Sequence, residues 1–191
     1  MKNVTIVGVG ALGSHLALAL RNAAALKLCD FDRVEAKNIL SQFHTNMGRG
    51  KNKAVALQAT LLGLYGVVAT AVPYRVVETN AAAVLGGSDL IVDCTDNYAA
   101  RITIGDVATV SGIPCLHGGL SADGTFGRIM WAEHFTPDAE GVVGQATCED
   151  GENLPFHLAV ASQMALTVQA FLKSGAKRSY QMTPTSLLRL V

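Results

Sequence analysis

A strand that ends in Gly-X-Gly-X-X-Gly and runs straight into a helix leaves a chain few folds to choose from. Here the strand candidate at residues 3–7 is followed by Gly8-Val9-Gly10-Ala11-Leu12-Gly13 and then by a helical pattern. One glycine makes the tight turn, one lets backbone approach a phosphate, and one allows close helix–strand packing. The helix N-terminus adds N–H donors and a partial positive charge. Asp30 stands at the end of the next strand, where a carboxylate can hold ribose hydroxyls. The motif fits a nicotinamide enzyme and a nucleoside triphosphate enzyme equally. The bland alternative is a glycine-rich turn that packs well and binds nothing.

β-Branched runs alternate with helical patterns along most of the chain. The strand candidates are 3–7, 26–31, 67–72, 89–94 and 114–117, and the helical stretches are 11–23, 51–62, 80–85 and 98–110. Continuous apolar strands spaced by helices indicate a parallel sheet covered on both faces. After Gly118 the pattern changes. A strand at 125–133 is reached through the turn-forming Ser121-Ala122-Asp123-Gly124, which suits an antiparallel addition. A loop with Pro137, Gly141 and Gly144 follows, then a helix near 154–173 and a last strand near 186–191. The expected architecture is α/β: a Rossmann-like, doubly wound, mainly parallel sheet extended by antiparallel strands on its C-terminal side. One domain, 1–191, accounts for the chain, with a nucleotide-binding βα half at 1–120 and an antiparallel extension, crossover loop and final helix at 121–191.

Charge narrows the partners. Lys plus Arg and Asp plus Glu number 15 each, and only 16% of residues are charged, against about a quarter in ordinary soluble domains. Zero net charge excludes a polybasic nucleic-acid or membrane binder and an acidic tail protein. An apolar surface also hints at a self-interface, hence a homodimer. Three stretches lack charge: 3–20, 54–74 and 154–172. Gly8, Gly10, Gly13 and His15 spoil the first as a signal peptide, Gly63, Gly66 and Pro73 break the second, and His157, Gln163 and Gln169 mark the third as a buried helix. A soluble, cytoplasmic protein is expected. Four cysteines without CxxC spacing write neither a disulfide framework nor a zinc ribbon.

The segment after the second strand decides between the chemistries. Asp30-Phe31-Asp32-Arg33-Val34-Glu35 leads to Asn38-Ile39-Leu40-Ser41-Gln42-Phe43 and then to Gly50-Lys51-Asn52-Lys53-Ala54. Later come Leu90-Ile91-Val92-Asp93-Cys94-Thr95-Asp96-Asn97 and Arg101. These put a polar wall around the carboxyl ends of the strands, where open α/β sheets bind ligands. A dehydrogenase needs few extra charges, whereas ATP needs cations for its phosphates and carboxylates for Mg²⁺. Lys51, Lys53, Asp32 and Asp96 meet the second demand. Read blandly, the lysines are solvated at a helix start and the aspartates are caps, but lysine there opposes the helix dipole.

In order, VGVGALGS, DFDRVEAKNILSQF, GKNKA and LIVDCTDNYAAR resemble the ThiF/MoeB/HesA family, within the superfamily of ubiquitin-activating enzymes. The likeness runs from residue 3 to at least 133 and weakly through Ala146-Thr147-Cys148-Glu149 and the last helix. It implies ATP-dependent adenylation of the C-terminal carboxylate of a small β-grasp carrier or ubiquitin-like protein ending in Gly-Gly, with release of pyrophosphate. Gly8, Gly10 and Gly13 then line the nucleotide and Asp30 holds the ribose. Asp32 and Asn38 sit at the phosphates and the attacking carboxylate, and Gln42 is a further cofactor-binding candidate. Lys53 binds phosphate, Asp96 holds Mg²⁺ or orients the reacting groups, and Asn97 and Arg101 complete that motif, Arg101 as a brace. A carboxylate attacking phosphorus meets anionic repulsion, so Mg²⁺ and lysine suit this reaction.

Three departures from the family stand out. Ser41 occupies the usual place of an arginine. A second arginine, carried in the family by a helical segment ahead of the first strand and supplied by the partner subunit, has no counterpart, so a short form is expected; Arg49, Arg33 or Arg101 are the available substitutes. The paired CxxC motifs of zinc-bearing members are missing, so no zinc is expected. Cys148 falls where some members carry a cysteine that forms a thioester or persulfide. Just before a helix it gains thiolate character, while Glu149, Asp150 and Glu152 oppose this. Cys29, Cys94 and Cys115 read as core residues and His44 and His117 as hydrogen-bonded structural residues. The competing functions are a catalytically weakened member that binds nucleotide or a partner, and an NAD(P)-dependent Rossmann oxidoreductase.

Overall fold

Alternating apolar residues feed two cores at once. In the computed structural model, which describes residues 1–121, 123–136 and 151–190, five parallel strands form first: β1 (Asn3–Val7), β2 (Ala25–Cys29), β3 (Thr70–Val72), β4 (Leu90–Asp93) and β5 (Cys115–Leu120). They alternate with α1 (Gly13–Leu20), α2 (Lys53–Tyr65), α3 (Glu78–Leu85) and α4 (Tyr98–Ser111). The antiparallel part adds β6 (Gly127–Trp131), α5 (Leu154–Ser174), β7 (Ser179–Thr183) and β8 (Ser186–Leu190). All eight strands join one sheet in the order β3-β2-β1-β4-β5-β6-β7-β8. Pairing is parallel from β3 to β5 and antiparallel from β5 to β8.

Val4 and Ile6, Leu26 and Leu28, Leu90 and Val92, and Leu116 face the larger core with α1, α2 and α5. The intervening Val7, Cys29, Ile91 and Cys115 face the smaller core with α3 and α4. This period of two, apolar on both sides, is the mark of a strand buried on both faces. The chain leaves β1 toward β2 and returns past it to β4, so strand order reverses beside β1. That switch point opens a crevice outside the carboxyl ends of the strands, with the glycine turn and the Asp93–Asn97 segment on its rim.

Element types match the sequence reading in the parallel half, and boundaries shift. β2 starts at Ala25, because the Ala25 N–H donates to the Lys2 carbonyl at 2.9 Å and draws the chain into the sheet early. β3 shrinks to the end of the expected 67–72. The segment 125–133 yields β6 and a short 3₁₀ turn at Ala132–His134. β7 lies where the sequence marks no strand; it pairs with β6 and β8 and joins the edge strand to the sheet. Residues 54–74 are α2 and β3, and among the described residues no helix is long and apolar enough to cross a membrane.

Candidate nucleotide site

The three glycines divide their work. Gly8 has φ +85°, a backbone that side chains rarely adopt, and a Cβ there would lie 2.8 Å from the Cys94 carbonyl oxygen. A Cβ on Gly13 would lie 1.8 Å from the Gly8 carbonyl oxygen, so α1 can pack on β1 only through glycine. Gly10 is different. A Cβ there meets only the Gln42 amide nitrogen, at 3.9 Å, so its outer face is open to a ligand. The first turn of α1 carries no acidic residue and no side-chain cap; the Ser14 N–H donates to the Gly10 carbonyl at 3.1 Å, and the positive end of the helix faces the turn, where an anion is favoured.

Asp30 ties this turn to the neighbouring loop. Its Oδ2 accepts the Val9 N–H at 2.8 Å and its Oδ1 accepts the Asp32 N–H at 2.9 Å. Burial pushes its carboxyl above the ordinary range, while those N–H donors and Lys53 pull it back. Each carboxylate oxygen has a further lone pair, so ribose hydroxyls fit beside the backbone donors. Asn52 connects the same elements. Its Oδ1 caps α2 by accepting from Val55 N–H, and its Nδ2 donates to the carbonyls of Asp30 at 2.8 Å and Asp32 at 3.2 Å.

That cap places Lys53 first in α2. The Lys53 side chain is only 10% exposed, and its Nζ lies 3.3 Å from Oδ2 of Asp32, which is 49% exposed. A buried stem with its charge aimed at a half-open carboxylate suits a phosphate better than it suits stability, since exposed ion pairs contribute little. Lys51 is exposed. Asn38 is buried and its Oδ1 accepts the Glu35 N–H at 2.9 Å, shaping the 3₁₀ turn Ala36–Leu40. Gln42 Oε1 and Ser41 Oγ are buried with no hydrogen-bond partner among the described residues. Of the substitute arginines, Arg33 donates to the Gly50 carbonyl at 2.6 Å, Arg101 donates twice to the Thr95 carbonyl, and Arg49 is exposed.

Across the crevice, Asp96 and Asn97 follow β4 on an exposed loop. Asn97 Oδ1 accepts the Ala100 N–H at 3.0 Å and caps α4, and the Asp96 carboxylate stands free of partners among the described residues. The structure thus gathers Gly8, Gly10, Gly13, Asp30, Asp32, Lys53 and the Asp96 loop around one switch point. Asn38 and Gln42 lie on the loop that packs against the glycine turn. Cys148 lies outside the described residues.

Sequence reasoning passed over one arrangement. Asp93 and His117, 1% and 3% exposed in their side chains, are register partners on β4 and β5, and His117 Nδ1 donates to Asp93 Oδ2 at 2.8 Å. A polar residue at matching positions of two apolar strands was the signal available. His15 and His44 hydrogen-bond to the carbonyls of Ser41 and Val9. Burial lowers both, His44 to about 4. Burial raises the thiols of Cys29, Cys94 and Cys115; Cys29 and Cys115 are core residues, and Cys94 is half-buried against the larger core. Two surface cavities, of about 220 and 310 Å³, lie beside α5 and beside β8, away from the glycine turn.

Known proteins resemble this chain in sequence and in fold. A SAMP-activating enzyme E1 of Haloferax volcanii is 36% identical over 121 residues, 61% of this chain and 45% of its own length. A sulfur carrier protein adenylyltransferase of Thermus thermophilus is 32% identical over 122 residues, 62% of this chain and 45% of its own. The chain thus spans less than half the length of these relatives. Among solved structures, MccB of E. coli superposes with a TM-score of 0.79 at 16% identity, over 99% of this chain and 63% of that one, a likeness of fold. The profile described as the ThiF family matches residues 1–176, and with the glycine turn, Asp30, Lys53 and the Asp96 loop around one crevice, the chain belongs to the ThiF family.

Proposed function

We propose that this chain adenylates the C-terminal carboxylate of a small β-grasp protein, ubiquitin-like or sulfur-carrying and ending in Gly-Gly, at the expense of ATP. The observation that carries this reading is the open face of Gly10 beside Asp30 and the Lys53–Asp32 pair, which leaves backbone free for a phosphate and sets a cation and a carboxylate next to it. Asp30 would accept the ribose hydroxyls and the α1 N–H donors would take phosphate oxygens. Lys53 would leave Asp32 for a phosphate and offset the charge that builds as the carboxylate approaches the α-phosphorus; one such contact is worth about 10²–10³ in rate. Asn38 and Gln42 would shape the wall on which the acceptor carboxylate rests. The free Asp96 carboxylate is a hard oxygen donor that fits Mg²⁺, which supplies charge neutralisation at the phosphates when bound.

We extend the proposal to a homodimer in the cytoplasm and to Cys148 as the thiol that receives the activated carrier. The ThiF-family relatives named as E1 and adenylyltransferase support the activity, and the low overall charge supports the self-interface. A weakened, nucleotide-binding role is the second reading. It is favoured by Ser41, fully buried where the family carries arginine, and by the commitment of Arg33 and Arg101 to backbone carbonyls. ATP–pyrophosphate exchange with a purified Gly-Gly carrier decides between them. Exchange that depends on the carrier is the expected result; ATP binding without exchange with any such carrier sinks adenylation.

A further inference from the structure

The proposed reaction uses neither Asp93 nor His117, yet they are the most deeply buried polar pair in the sheet. A carboxylate only accepts, so the His117 ring nitrogen facing it at 2.8 Å, Nδ1, carries the proton. The other carboxylate oxygen, Asp93 Oδ1, accepts twice from Thr95, from its N–H at 2.9 Å and its Oγ1 at 2.7 Å. The Thr95 carbonyl in turn receives the Arg101 fork at 2.9 and 2.6 Å. The ring of Phe135 stacks on His117 at 4.0 Å and 9°, with the Arg101 guanidinium 5.7 Å from its centroid. The loop so held touches the glycine turn: a Cβ on Gly8 would be 3.1 Å from Thr95 N. One connected path therefore runs from β5 through Asp93 to the residue that precedes Asp96.

Cys115 Sγ lies 3.6 Å from His117 Nε2, which completes the outline of a Cys-His-Asp triad. The thiol is buried and its ionisation is suppressed by that burial, so the outline holds no nucleophile. What remains is geometry.

We propose that Asp93 and His117 are positioning residues that set the loop carrying Asp96 against the glycine turn, a role that rests on the adenylation reading for its consequence in catalysis. Buried polar networks that are fully satisfied rigidify what they touch. His117→Leu keeps the bulk but removes the donor, whereas His117→Asn keeps an N–H donor near the place of Nδ1. Hydrogen exchange read amide by amide in the full chain should show the Thr95 N–H of His117→Leu exchanging at least about tenfold faster, with β1 and β2 unchanged and His117→Asn close to wild type. In ATP–pyrophosphate exchange, kcat of His117→Leu should fall about tenfold or more while the KM for ATP stays within about threefold, again restored in His117→Asn. Thr95→Val removes one of the three donors to Asp93, the hydroxyl on the part-exposed loop, and should show the same pattern at smaller amplitude even if His117→Leu fails to fold. Wild-type protection at Thr95 in both His117→Leu and Thr95→Val, or a His117→Asn as impaired as His117→Leu, overturns the proposal. If the wild-type chain performs no exchange of pyrophosphate, adenylation falls alone, and the amide readout still decides the role of the pair.

Discussion

Gly10→Ala and Gly13→Ala change the same motif by one methyl each and should fail in opposite ways. At Gly13 the new Cβ would sit 1.8 Å from the Gly8 carbonyl oxygen, 2.9 Å from its carbon and 3.3 Å from Ile6 Cγ2. The buried Gly13 and the half-buried Gly8 must part by more than an ångström, and overpacking of this kind costs about 1–3 kcal/mol or more. With so close an approach the cost falls at the top of that range; against a gain in helix propensity of under about 1 kcal/mol, a net loss of about 2 kcal/mol remains, which lowers Tm by about 4–8 °C for a chain of this size. At Gly10 the Cβ meets one amide nitrogen at 3.9 Å, so stability should stay within about 0.5 kcal/mol. The same methyl stands where phosphate must approach backbone. Losing about 1.5–3 kcal/mol of charge-assisted hydrogen bonding weakens ATP binding roughly 10- to 150-fold. Thermal denaturation paired with calorimetric titration of ATP separates the two effects. Gly10→Ala that binds ATP like wild type, or Gly13→Ala that melts like wild type, refutes the division of labour assigned to these glycines.

Lys53→Met keeps the buried stem and removes the charge; pyrophosphate exchange should drop about 100-fold or more, with stability changed by under about 1 kcal/mol because the Asp32 pair is half exposed. His44, lowered from 6.5 to about 4 by burial, binds its proton later than the unfolded chain does as pH falls. Its stability contribution is present above pH 6.5 and lost on acidification toward pH 4, a loss of up to about 3 kcal/mol. Asp30, raised by burial, acts in the opposite direction, its contribution growing as pH falls. Urea denaturation of His44→Gln against wild type isolates the histidine, and equal pH slopes would contradict its buried, neutral state. Cys148→Ala should leave pyrophosphate exchange intact and abolish transfer to sulfur; undiminished transfer removes the thiol from the mechanism.

The parallel half was legible because both of its signals are local. A strand buried on two faces reads as an uninterrupted apolar run, as in Leu90-Ile91-Val92, and the glycine turn, Asp30 and Lys53 sit within motifs that keep their order. β7 escaped notice for a physical reason. Ser179-Tyr180-Gln181-Met182-Thr183 is a short strand near the sheet's end that buries only Ser179 and Met182, so neither an apolar run nor a clean alternation marks it. Helix ends moved because capping decided them: Asn52 starts α2 two residues later than the lysine pattern suggested. The Asp93–His117 pair needed the register of two strands that lie apart in sequence, and no spacing rule supplies that. Ser41 looked like an isolated departure from the family, and its environment became visible only with the burial of its hydroxyl and the His15 bond to its carbonyl.

The two faces of the sheet are unequal, and heat should find the difference. The face covered by α1, α2 and α5 holds the larger set of buried side chains, including Trp131 and most of the leucines; the face covered by α3 and α4 rests on a smaller set dominated by valine, alanine and cysteine. Cooperative units with less apolar contact open at lower free energy than the molecule as a whole. The layer of α3 and α4 should therefore loosen first on warming, and α4 is capped by Asn97, directly after Asp96. A protease added below the global melting temperature would cut between β3 and β5 before it reaches α1 or α5, and the capacity to hold nucleotide would fade before the fold itself is lost.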